Sequence, residues 1–135
     1  MLEDCRVNAC VEGHGPPEMK ARFVRFGIVQ IDGRLYERDV VVVGGRVERR
    51  HKRASKPLRD RYGHTPLSLA EPIPWTCGRL IVGTGADGAL PITDDVVAEA
   101  ARRGVELIAV PTPEACRLLS HADPEETAAI LHVTC

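Results

Sequence analysis

Aromatic side chains are scarce in this sequence: Phe, Tyr and Trp make up 4% of its 135 residues. A core must therefore be aliphatic, drawn from the Val, Leu, Ile and Ala within a hydrophobic share of 44%. An excess of charge of one sign is also missing. The net charge is −1, so the whole molecule exerts no pull toward nucleic acid or an anionic membrane. No apolar run approaches the ~20 residues of a membrane-spanning helix. The opening Met1-Leu2-Glu3-Asp4-Cys5 has neither a basic segment nor an apolar stretch, and no secretory leader is expected. The cysteines are odd in number and scattered, at 5, 10, 77, 116 and 135. That pattern reads as reduced thiols in a cytoplasmic protein rather than a disulfide framework. A GxSxG elbow, a P-loop, an HExxH helix and paired CxxC motifs are all lacking. No cofactor is implied.

What is present is a change of pattern along the chain. Residues 1–20 carry Gly13, Gly15, Pro16 and Pro17 without periodicity and read as an irregular arm, which Val7 and Val11 could dock. Residues 21–135 read as a single domain. Phe23-Val24-Arg25-Phe26-Gly27-Ile28-Val29-Gln30-Ile31 is rich in β-formers, and Asp32-Gly33 follows as a two-residue hairpin signal. The partner strand is expected to run on through Val40-Val41-Val42-Val43, whose four β-branched residues imply burial on both faces. Gly44-Gly45 then turns the chain into Arg46-Val47-Glu48-Arg49, completing an antiparallel meander.

Residues 50–78 hold four prolines and read as a long loop with one helical turn at Leu67-Ser68-Leu69. The C-terminal half alternates. Leu80-Ile81-Val82 is a buried strand. Val96, Val97, Ala100 and Ala101 form the apolar stripe of a helix begun at Asp94-Asp95 and ended by Gly104. Residues 105–110 form the next strand. Thr112 is expected to cap a helix with Pro113 in its first turn, and Ala115, Leu118, Leu119 and Ala122 give its buried face. Residues 128–133 close the sheet, and the spacing implies parallel crossover connections.

Gly83-Thr84-Gly85, Gly88-Ala89-Leu90-Pro91, Arg103-Gly104-Val105-Glu106, Thr112-Pro113-Glu114-Ala115 and His132-Val133-Thr134-Cys135 follow in that order. Together with Phe26-Gly27, Asp32-Gly33, Asp39-Val40 and His64-Thr65-Pro66-Leu67, they resemble the Mth-938-like domain family (DUF-498) over about residues 22–135. The resemblance implies a three-layer α/β fold with a central mixed sheet, an N-terminal antiparallel meander and a C-terminal βαβαβ unit. It also implies a last strand antiparallel to its neighbours. Relatives in that family include the mitochondrial assembly factor for respiratory complex I and the adipogenesis-associated domain protein. Most members have no assigned chemistry.

Several residues are candidates for function. Gly83, Thr84, Gly85 and Gly88 follow a strand, where open α/β sheets bind ligands. With Thr112 and His132 they form an expected ligand-binding rim. The spacing is not GxGxxG, and Asp94 and Asp95 at the next helix start oppose phosphate. His132 and Cys135 fall on opposite faces of a strand, so the imidazole reaches the thiol only if the strand bends. Cys116 sits in the first turn of its helix, where a thiol is acidified, but beside Leu119, which favours burial. Cys116 and His132 are the catalytic candidates. Cys5, Cys10 and His14 lack a fourth ligand and the spacing of a zinc site, so no metal is expected. Between residues 46 and 61, eight Lys or Arg face two acids, a net +6 that leaves −7 for the remainder of the chain. Arg49, Arg50 and Arg53 are therefore the expected contacts for an acidic protein partner. Only Tyr62 adjoins them, so nucleic acid is not expected.

Three readings follow. The leading one is a non-catalytic binding or assembly module acting on a protein partner or small ligand. The second is a small enzyme using Cys116 or His132. A structural homodimer through a sheet edge is the third.

Overall fold

A computed structural model of the protein describes residues 19–135. Cys5, Cys10 and His14, with the expected arm, lie outside the described residues. Among the described residues there are eight strands in two sheets. β1 (Ala21–Arg25), β2 (Ile28–Ile31) and β3 (Arg34–Tyr36) make an antiparallel three-stranded sheet. β4 (Val40–Val43), β5 (Arg46–Arg49), β6 (Arg79–Thr84), β7 (Glu106–Val110) and β8 (Thr127–His132) make a mixed sheet in the order β5-β4-β8-β6-β7. A 3-10 helix (Lys52–Leu58) leads into α1 (Arg59–Tyr62). Helices α2 (Asp94–Arg103) and α3 (Thr112–Ser120) follow β6 and β7.

Side-chain alternation on β6 organises the layers. Leu80 and Val82 pack with Val96 and Ala100 of α2 on one face of the mixed sheet. Ile81 packs on the other face with Ala115, Cys116 and Leu119 of α3 and with Val29 and Ile31 of the small sheet. The core is aliphatic, as the scarcity of aromatics requires. Val40, Val41 and Val42 are buried, because β4 lies inside the sheet between β5 and β8. The α/β architecture therefore follows the sequence pattern, and the central mixed sheet is the one the family resemblance implies.

Several local expectations need correction. The 23–31 run is two strands, broken at Phe26-Gly27, where Gly27 takes φ 89° and Phe26 is exposed. Asp32 and Gly33 do form the hairpin turn, at φ 52° and 85°, but the partner strand ends at Tyr36. The four valines belong to the other sheet. Helix forms over 52–62 rather than at Leu67-Ser68-Leu69, because Leu67 is drawn into a bridge with Ile92. Val97 and Ala101 face solvent, and α2 buries only Val96 and Ala100. The last strand does not close an edge. β8 lies in the middle, antiparallel to β4 but parallel to β6, so it is not antiparallel to both neighbours.

Candidate functional site

Strand register brings the chemistry-bearing residues to one rim. Thr84 at the end of β6 pairs with His132 at the end of β8. Val40 at the start of β4 pairs with Leu131 on one side and Arg49 on the other. The carboxyl ends of β5, β6 and β8 therefore meet the 37–39 segment that leads into β4. This is the edge at which open α/β sheets place ligands.

The glycine turn does not present an empty cradle there. The Gly85 amide donates to Thr112 Oγ1 (2.8 Å), and that hydroxyl donates to the His132 carbonyl (2.5 Å). The Ala86 amide donates to the Thr134 carbonyl (2.6 Å), and the Asp87 and Ala89 amides donate to the Cys135 carbonyl (3.2 and 3.0 Å). A Cβ on Gly85 would stand 2.2 Å from the Cys135 carbonyl carbon, and one on Gly83 would stand 2.8 Å from Thr112 Oγ1. Thr84 and Thr112 do meet the backbone of His132, but the turn that runs from Gly85 through Gly88 to Ala89 closes on the chain's own Thr134 and Cys135. Thr112 also makes no side-chain cap. Pro111 holds the cap position, and the Thr112 hydroxyl is spent on the rim.

Beneath the rim lies a buried ionic network. Arg50 donates to Asp39 Oδ2 (2.8 Å), to both Glu71 oxygens (2.8 Å each) and to the Pro66 carbonyl (3.0 Å). Ser55 adds a hydroxyl to Glu71 Oε2 (2.6 Å). Arg50 is 4% exposed, which corrects its assignment to a partner-binding surface. Its guanidinium fork is committed to two buried carboxylates. Burial works against ionisation of Asp39. The His132 hydrogen bond and charge, the Val133 amide and Arg50 outweigh it and hold the carboxyl at about 2.

The ionised Asp39 also orients His132. Its Oδ2 lies 2.8 Å from His132 Nδ1, and its Oδ1 accepts the Val133 amide at 3.0 Å. A carboxylate only accepts, so Nδ1 carries a proton and Nε2 is left facing outward along the chain. Thr134 Oγ1 lies 3.2 Å from Nε2 and Cys135 Sγ lies 4.0 Å from it. His64 Nδ1 stands 3.6 Å from the same sulfur. The opposite-face expectation for His132 and Cys135 fails because β8 stops at His132 and the chain leaves the strand. Cys116 is the opposite case. It is 1% exposed, and burial pushes its thiol up to about 12, which suits a core residue and not a nucleophile.

A cleft of about 510 Å³ opens beside the rim, lined by Arg38, Arg49, Lys52, Arg53 and Lys56, with Thr134 at its wall. Glu37 and Asp39 also line it, and Asp39 is already paired with Arg50 and His132. None of the five lining cations is ion-paired among the described residues. All three expected partner contacts line this cleft, Arg49 and Arg53 as exposed cations and Arg50 as a buried one already paired with Asp39 and Glu71. Sequence reasoning missed Asp39, Arg38, Glu71 and His64, whose sites depend on contacts between distant segments. Asp39 and His64 were visible only as parts of Asp39-Val40 and His64-Thr65-Pro66-Leu67. Among the described residues, no group of three His, Cys, Asp or Glu is arranged to hold a metal ion.

No protein-family model and no curated protein matches the chain. Solved structures do. The conserved hypothetical protein PH1505 from Pyrococcus horikoshii OT3 is 34% identical, with 87% of this chain and 100% of that one covered and a TM-score of 0.69. MT938 is 27% identical, with 87% and 99% covered and a TM-score of 0.61. An outer membrane protein from Bartonella henselae, 11% identical with 90% and 100% covered, shares the fold alone at a TM-score of 0.59. The mixed sheet with β8 at its centre, and the identity sustained along the whole of PH1505, lead to one conclusion: the chain belongs to the Mth-938-like family.

Proposed function

We propose that the protein is a binding module that takes an acidic segment of a protein partner in the basic cleft. The observation that carries this reading is the concentration of Arg38, Arg49, Lys52, Arg53 and Lys56 around one concavity with Glu37 as the only carboxylate not already neutralised among the described residues that line it. Exposed cations steer an acidic partner and set its register more than they add raw affinity. The buried Arg50 network gives the cleft a rigid floor, so little ordering is needed on binding. The glycine turn, gripping residues 134 and 135, serves as scaffold rather than contact surface.

The test is fluorescence anisotropy with a labelled poly-glutamate peptide. The double variant Arg49→Glu/Arg53→Glu should weaken binding by at least ~10-fold, and binding to the native chain should fall with added salt. Both side chains are at the surface, so the variant should unfold within ~0.5 kcal/mol of the native chain. Peptide affinity unchanged by the double charge reversal overturns the reading.

A further inference from the structure

Cys135 stands between two imidazoles, and neither the glycine turn nor the basic cleft accounts for that placement. His132 is held from behind by an ionised, buried carboxylate that fixes Nδ1 as its donor. In the neutral ring Nε2 is then the acceptor, and the groups in front of it are the Thr134 hydroxyl at 3.2 Å and the Cys135 thiol at 4.0 Å. The sulfur is half-buried, so a small reagent reaches it, whereas Cys116 is sealed in the core. The Ala86, Asp87 and Ala89 amides clamp the carbonyls of Thr134 and Cys135, so the thiol is held in place rather than left on a loose strand end.

We propose that Cys135 is a nucleophilic thiol that takes a soft carbon electrophile, with His132 as its general base and Asp39 as the positioning residue. In the step, the S–H bond breaks and its proton passes to His132 Nε2. The sulfur forms a bond to the electrophilic carbon, and the leaving group departs with the bonding pair. Asp39 stabilises the imidazolium that results, the logic of a nucleophile and base ordered by a third group. His64 faces the sulfur from the other side at 3.6 Å but has no buried carboxylate behind it among the described residues. The inference needs no cation of the cleft and stands apart from the acidic-partner reading.

The experiment is alkylation of the full chain by iodoacetamide at neutral pH, with each cysteine followed by peptide mass spectrometry. Cys77, half-buried like Cys135, is the comparison, and Cys116 reports folding by staying unlabelled. Cys135 should react at least ~10-fold faster than Cys77 in the native chain. His132→Gln should remove that advantage while Cys116 stays protected, and His64→Gln should leave it in place. Equal rates at Cys135 and Cys77 in the native chain overturn the proposal. So does an advantage that survives in His132→Gln, or one lost in His64→Gln. If His132→Gln exposes Cys116, the native ratio and the His64→Gln arm still decide.

Discussion

Gly85 shows how one residue type can be read for the wrong reason. A glycine after a strand suggests room for a ligand, yet this one makes room for the chain itself. Its φ of 106° disfavours any side chain, and an added Cβ would overlap the Cys135 carbonyl. Gly85→Ala should therefore cost about 2–4 kcal/mol, combining a left-handed backbone penalty with displaced neighbours. Urea denaturation measures it as a lower midpoint with an unchanged slope. Gly27 carries the opposite lesson, because its Cβ would meet nothing and only its φ of 89° calls for glycine. Thr112 belongs at this scale too. The helix start was legible, but Thr112 does not cap it: its hydroxyl goes to a strand end that only folding brings near.

At the scale of elements, the rim depends on how β8 is inserted. Lying between β4 and β6, it carries His132 to the Asp39 that precedes β4 and to the Thr84 that ends β6. Arg50, one residue beyond β5, ties that edge to Glu71 in the following loop. Removing one partner from a buried ionic network leaves the others unpaired, which costs far more than the network's net worth. Arg50→Ala should destabilise by about 3–5 kcal/mol, read as a fall in the chemical denaturation midpoint. Arg53→Ala, on the exposed side of the same cleft, should change it by less than ~0.5 kcal/mol. Charge counting placed Arg49, Arg50 and Arg53 together as surface cations. Composition cannot show which of three neighbouring arginines points inward, since that is decided by where Asp39 and Glu71 arrive.

At the scale of the whole molecule, charge is segregated between a basic cleft and a more acidic remainder, with an ionic network buried between them. Among the described residues, no helix is long and apolar enough to cross a membrane. The network makes folding sensitive to acid. Asp39 holds its charge more tightly when folded, at about 2 against an ordinary 3.8. Its stabilisation of about 2 kcal/mol is therefore complete above pH ~4 and is lost as the pH falls through its folded value. Carboxyl NMR should show Asp39 titrating near 2 in the folded chain, with the denaturation midpoint falling over the same range. Titration at the ordinary carboxylate value would contradict the buried pairing with His132 and Arg50.

Apolar periodicity, paired turn residues and the order of short motifs carried the α/β class, the buried valine strand, both long helices and the family resemblance. Those signals are local, set by steric limits on φ and by which faces must leave water. The tertiary structure alone decided that β8 lies at the centre of the sheet and that Arg50 is buried. It also decided that Asp39 backs His132 and that Cys135 turns toward the imidazole. Each of those joins residues tens of positions apart, and no local preference encodes which distant groups will share a rim.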